Sequence, residues 1–391
     1  MRSGKRTCDA IGPRPASACM RGSPTFLTTL VCLGCALGAR ATEWNVIQQQ
    51  GRNYVSFENV AEFYRFPAYS HANRTISLRG DRHGLRAQAG TSEMYINGVR
   101  FFTHFPLLER ADEHLISAVD IGKIVEPVLR PSRIANARKV ETVVLDPGHG
   151  GTDQGTANAW GSEKAFALDV AMTAREQLLQ TGFKVEMTRK DDTGLSLEER
   201  VAFANRFQNA VFISIHFNSA SGGAGVESYA LAPEGIVSIA SPGEHHAPAD
   251  DSQPDQGNVQ DLQNIALTAA VHASVLSRLT PYDRGVRHAR FKVLRNIHLP
   301  AVLLEAGFLS DPVEGRRIAT AHYRQQLGMA IAQGVQSYNA AVNYRAQNDT
   351  FAVVRKNLPP HSASITAPLH SEEPVVAAAP EEPSVSIHGG E

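Results

Sequence analysis

Beyond residue 35 the chain has no cysteine: its four, Cys8, Cys19, Cys32 and Cys35, crowd into the first tenth of 391 residues. If that stretch is removed on export, the remainder can form no disulfide and offer no thiolate to a metal. Zinc would then have to rest on His, Asp or Glu. An excess of charge of one sign is missing too. Lys and Arg number 38 against 39 Asp and Glu, so the net charge of −1 gives no global field for nucleic acid. The apolar run over 26–37 (FLTTLVCLGCAL) falls short of the roughly 20 residues a permanent bilayer span requires. No HExxH is present, which removes the commonest zinc-peptidase helix. What remains is ordinary in composition, 42% apolar and 20% charged, enough for a buried core and about two domains.

The first 41 residues read as a secretory signal. Arg21 precedes the apolar run, and Ala39-Arg40-Ala41 puts small residues where a signal peptidase reads, so cleavage is expected after Ala41. The long basic stretch before Met20 makes Met20 an alternative start to Met1. Residues 42–132 read as a small α+β module. Residues 53–56 and 60–64 suggest a short strand and helix, and Asn97-Gly98 is a two-residue hairpin turn between strand-like pieces. The YVS and NGV pieces and their spacing resemble the module named after the N-terminal domain of copper amine oxidases, which implies a targeting role and no copper.

From 141 to 344 strands and helices alternate, which predicts an α/β fold: a mostly parallel twisted sheet with helices on both faces. Strands are expected at 143–145, 184–188, 211–215, 226–231, 291–294 and 301–304. Ser162 is the expected cap of a first helix. Ser196-Leu197-Glu198-Glu199 is a capping box opening another. Helices are also expected from Asp261 and through Leu327, Ile331, Val335 and Tyr338. The segment 242–257 (PGEHHAPADDSQPDQG) reads as a flexible insertion, and 345–391 as a disordered tail rich in Pro, Ala, Glu and Ser.

Ligands of an open parallel sheet bind at the carboxyl ends of its strands. Here the first strand runs into Asp146-Pro147-Gly148-His149, the third into His216-Phe217-Asn218, and the last into Glu305-Ala306-Gly307. Glu163 joins them from the first turn of the first helix. Two histidines and a glutamate with an open fourth position are the donor set of a hydrolytic zinc site. Glu305 is then left as the general base. Asp146 and Asn218 are candidates to fix an imidazole, or else turn caps. Arg189 could meet substrate carboxylates, or pair with Asp191 or Asp192.

The ordered motifs VVLDPGHGGTDQGT, GSEKAFALDVA, LSLEERVAFAN, VFISIHFNSA, GVESYAL, FKVLRN and PAVLLEAGFLSDPVEGRRI resemble the zinc N-acetylmuramoyl-L-alanine amidases. That resemblance implies one zinc per chain on His149, Glu163 and His216, catalysis by Glu305, and peptidoglycan as substrate. It also implies work outside the cytoplasm, in a periplasm or cell envelope, and an activator protein as a partner. Some division amidases carry a helix that plugs the site in the stretch matching 233–260. Pro242, Pro248 and Pro254 argue against such a helix here, so a loop and an enzyme partly active alone are expected. The alternatives are a zinc peptidase cutting the stem peptide and a non-catalytic wall-binding homologue.

Overall fold

The structure, a computed structural model, describes residues 44–238 and 253–344. The expected signal, the tail and residues 239–252 of the insertion lie outside the described residues. The described residues group as one compact unit.

In the N-terminal part, β1 (Val46–Gln49) and β2 (Arg52–Ser56) lead into α1 (Phe57–Tyr64). Ser56 caps that helix by accepting from Asn59 N. Antiparallel strands follow: β3 (Ala68–Ala72), β4 (Thr75–Arg79), β5 (Gly84–Gln88), β6 (Glu93–Ile96), β7 (Val99–Phe102), β8 (Leu108–Arg110) and β9 (Glu113–Ser117). Asn97-Gly98 makes the β6–β7 hairpin, with both residues at positive φ, as such a turn demands. A helical run closes the part: α2 (Ala118–Asp120), a π turn at Ile121–Val125, and α3 (Glu126–Leu129).

The second part holds β10 (Thr142–Pro147), the small β11 (Ala157–Asn158) and β12 (Gly161–Ser162), and α4 (Glu163–Gln180). Then come β13 (Lys184–Met187), α5 (Leu197–Ala204), β14 (Ala210–Asn218), β15 (Val226–Ala230) and α6 (Asp261–Leu279). The order ends with β16 (Asp283–His288), α7 (Lys292–Arg295), β17 (Ala301–Phe308), α8 (Pro312–Ile318) and α9 (Ala321–Val342). The capping box at Ser196 is formed in full, whereas Ser162 stands at the N-cap without a side-chain bond.

Both faces of this sheet are covered, as its nearly unbroken apolar strands require. Val143 and Leu145 turn to one core with Ile213, Val302 and helices α4, α6 and α9. Val144 turns to the other with Phe212, Leu303 and α7. The sheet is mixed rather than mostly parallel. Strands run in the order β13-β10-β14-β17-β15-β16-β7-β6-β5-β4-β3, so the N-terminal hairpins extend the sheet of the second part. Among the second-part strands the β15–β17 pair is antiparallel. The cause is the short connection from β14 to β15: a parallel return needs a crossover of about a dozen residues or more, and residues 219–225 cannot supply it. The strand expected at 291–294 is the helix α7 instead, and the strand lies earlier, in β16. A four-residue apolar run has no period to tell strand from helix. The alternation in β16 was masked by Arg284 and Arg287, whose charges are met by Glu227.

Candidate metal centre

β10 and β14 pair in parallel and end side by side, and α4 starts at the same edge, which brings three expected residues together. His149 Nε2, Glu163 and His216 each offer an atom, and those atoms lie within 4.8 Å of one another. Glu163 Oε1 is 3.0 Å from His149 Nε2 and 3.0 Å from His216 Nδ1. The other oxygen, Oε2, accepts from Thr156 N at 2.9 Å, which fixes which oxygen faces the imidazoles. Burial pushes the Glu163 carboxyl up, but the two imidazoles outweigh it and hold the group well below the usual carboxylate range.

Small residues make room for this. A Cβ on Gly148 would come within 2.2 Å of the His216 ring. One on Gly155 would sit 2.5 Å from Glu163 Oε2 and 2.6 Å from His149 Cδ2. His149 itself has φ 59, a conformation that side chains other than glycine seldom adopt. Its backbone is held by Arg200, whose Nη2 donates to His149 O at 2.6 Å. Its ring is held by Asp153, 2.8 Å from Nδ1. With Nδ1–H donated to that carboxylate, the lone pair of Nε2 is directed to the shared centre. Burial opposes charge on this imidazole, yet Glu163 and Asp153 together raise its pKa.

Glu305 is half-buried on β17, directly opposite His216 in register. On its other side it faces Glu227 of β15, so His216, Glu305 and Glu227 form a row across three adjacent strands. Neighbouring strands lie about 4.8 Å apart, so Glu305 stands one strand away from His216 of the donor set. The β14–β17 register shifts between His216 and Asn218, a bulge at the edge of the site of the kind that re-aims side chains.

The remaining candidates have other duties. Asp146 is fully buried and accepts from Thr188, Ser214 and Arg200, while Arg200 in turn donates to Pro147 O and His149 O. It therefore braces the loop rather than an imidazole. Asn218 donates to Glu227 at 2.7 Å. Arg189 is buried and donates to the backbone oxygens of Pro147, Gly148, Lys164 and Asp191. The side chains of Asp191 and Asp192 are not the partners of that guanidinium, because the tight turns around it leave carbonyls that need donors. Burial, then the nearby Arg200, lowers its pKa. Sequence reasoning missed Asp153, although an acid four residues after a glycine-flanked histidine was the available signal. It missed Arg200 too, whose place in a polar helix gave no sign of burial.

The donor set fits one divalent cation: three convergent atoms of the types zinc takes, against which a Cβ at Gly148 or Gly155 would clash. An open sheet with such a set at its strand ends, and a further carboxylate one strand away, defines a class of enzymes that hydrolyse with the help of a metal ion.

Comparison with known proteins narrows the class. The profile described as N-acetylmuramoyl-L-alanine amidase matches residues 143–337. The chain is 35% identical over 231 residues to N-acetylmuramoyl-L-alanine amidase AmiC of Neisseria meningitidis, covering 54% of this chain and 55% of that protein. It is 33% identical over 219 residues to N-acetylmuramoyl-L-alanine amidase AmiA of Escherichia coli, covering 50% of this chain and 75% of that one. A solved N-acetylmuramoyl-L-alanine amidase from Clostridium difficile 630 aligns with 32% identity over 51% of this chain and 97% of its own, at TM-score 0.41. The chain belongs to the N-acetylmuramoyl-L-alanine amidase family.

Proposed function

We propose that this protein hydrolyses the amide between N-acetylmuramic acid and L-alanine in peptidoglycan, with one zinc ion on His149, Glu163 and His216 and Glu305 as general acid and base. The observation that carries the reading is the convergence of those three donors in a family member, with Glu305 opposite His216 in register on the next strand. When bound, zinc would supply Lewis acidity at the scissile carbonyl and lower the pKa of a water to about 7. The chain's own residues do the rest. Asp153 keeps the His149 ring in one tautomer and one orientation. The Asp146–Arg200 pair holds the strained backbone carbonyl of His149. Glu305 takes a proton from water as its oxygen joins the carbonyl carbon, then delivers it to the alanine nitrogen as the C–N bond breaks. A carboxylic acid and a free amine result.

Export through the signal at 1–41, a targeting role for residues 42–132 and response to an activator belong to the same proposal. Among the described residues no helix is long and apolar enough to cross a membrane. The deciding experiment incubates purified protein with muropeptides and identifies products by mass spectrometry. Release of intact stem peptides with free L-alanine amino termini is expected. Cleavage inside the stem, or none, would overturn the reading.

A further inference from the structure

Tryptophan is scarce in this chain, which has two, and the second stands exposed in the hairpin that leads into Glu163. Trp160 keeps 42% of its surface open, although a large aromatic ring is ordinarily worth burying. It sits in the turn of the β11–β12 hairpin, three residues before Glu163. The base of that hairpin is the centre itself, because Glu163 N donates to Thr156 O at 2.7 Å and Thr156 N to Glu163 Oε2 at 2.9 Å. Three residues of chain reach at most about 11 Å, so the Trp160 backbone stands within that distance of Glu163.

The turn is built to be rigid. Asn158 Oδ1 accepts from Trp160 N at 2.8 Å and from Gly161 N at 3.1 Å, and its Nδ2 donates to Leu309 O at 3.0 Å. Gly161 has φ 152, and a Cβ there would press within 2.5 Å of the Phe166 ring. The Arg316 guanidinium lies 5.5 Å from the indole centroid, steadying the ring through its π face. Gly315 of the same helix lets the ring lie close, since a Cβ there would be 3.2 Å from Trp160 Cζ3. None of this is required to place Glu163, which its own hydrogen bonds hold.

We propose that Trp160 is a sugar-stacking subsite that receives a pyranose of the glycan strand next to the residue being cleaved. Pyranose rings present a face of C–H bonds, and an indole held rigid by polar neighbours offers the flat, electron-rich surface they stack on. A protein partner would call for a contiguous apolar patch, whereas the hairpin around Trp160 offers Ala157, Asn158, Ala159 and Gly161. The inference rests on the amidase reading, and its test separates the two.

Trp44→Phe leaves Trp160 as the sole tryptophan reporter, and the probe is an oligomer of N-acetylglucosamine, which has no amide of the kind cleaved. A saturable change in emission is expected in Trp44→Phe and none in Trp44→Phe with Trp160→Ala. On sacculi, Trp160→Ala should raise apparent KM about three- to tenfold at nearly unchanged kcat, the ordinary worth of one aromatic contact, with Trp160→Phe recovering part. Hydrolysis of N-acetylmuramoyl dipeptide, which has no neighbouring sugar, should stay the same. Emission that ignores the oligosaccharide overturns the subsite and leaves Trp160 to a protein contact. Equal losses on sacculi and dipeptide also overturn it. Should wild type cleave neither substrate, the amidase reading fails while the fluorescence still decides the subsite.

Discussion

Adding one methyl group at Gly155 should remove the metal from this protein while leaving most of its stability. Gly155 has φ 60, and its missing Cβ would lie 2.5 Å from Glu163 Oε2, 2.6 Å from His149 Cδ2 and 2.8 Å from His149 Nε2. Carbon contacts settle at about 3.5–4.0 Å, so relief needs a shift of roughly 1 Å in one of two ligand side chains. Neither can move freely. Glu163 Oε2 is pinned by Thr156 N, and the His149 ring by Asp153. Metal–ligand distances hold to within about 0.2 Å, so a displacement of that size loses a donor. An affinity loss of at least about a hundredfold follows, since disturbing only the partners of the ligands costs 10–100-fold. The left-handed backbone adds about 1–2 kcal/mol of instability to the apo protein. Gly182→Ala is the control: φ is 88 there, and nothing lies within 4 Å of the added Cβ. It should lose stability of the same order with no change in metal affinity. Competition with a chromogenic chelator reads the affinity, and urea unfolding in chelator reads the stability. Gly155→Ala binding zinc within about twofold of wild type, when less than 0.5 kcal/mol separates the two, would refute the cradle.

Glu305→Gln should keep the fold and bind zinc normally yet lose nearly all turnover, and near wild-type rates on muropeptides would sink the proton-shuttle assignment. Asp153→Ala should weaken zinc binding about 10–100-fold by freeing the His149 ring, which the same chelator assay checks. Asp255→Ala should destabilise the protein by about 1.5–3 kcal/mol in urea, because it removes the carboxylate that accepts from both Arg290 and Arg295 and caps the turn at Gln256–Gln260. His288→Phe should flatten the acid limb of the stability curve. His288 is fully buried on β16 beside His104, and burial first, then that neighbour, holds its pKa well below 6.5. The unfolded chain therefore binds a proton near pH 6.5 that the native state refuses, so stability present above that pH falls by about 1.4 kcal/mol per unit below it. Identical slopes between pH 5 and 6.5 in both proteins would count against this.

The centre was legible because its residues announce themselves by position. His149, His216 and Glu305 each follow a run of buried apolar residues, and the end of such a run in a parallel sheet is the edge where ligands bind. Glu163 was legible because a helix start after a glycine-bearing turn faces the same edge. What supports those residues was not legible, since support comes from pairs distant in sequence. Asp146 and Arg200 stand 54 residues apart and meet only because the fold brings α5 to the end of β10. Nothing local marked Arg200 as buried, as a charged residue in a polar helix ordinarily faces water. The same blindness hid Arg189, whose partners are four backbone carbonyls that no side-chain pattern reveals.

The sheet followed a different logic. Its parallel half could be read from continuous apolar strands, and its mixed character turns on the seven-residue link after β14. That link sends β15 back along β17 rather than forward, which sets Glu227 beside Glu305 and leaves β16 to pair with β7 at Val286 and Phe101. The N-terminal part is joined there by Asp283 as well, which accepts from Arg100 N at 3.0 Å and from Gly285 N at 2.8 Å. His272 lies 2.9 Å from the same carboxylate. A strand that alternates Arg284, Val286 and His288 with Gly285 and Arg287 has no clean period of its own. It is a strand because of what flanks it on both sides, and that information lies in β15 and β7 rather than in its own residues.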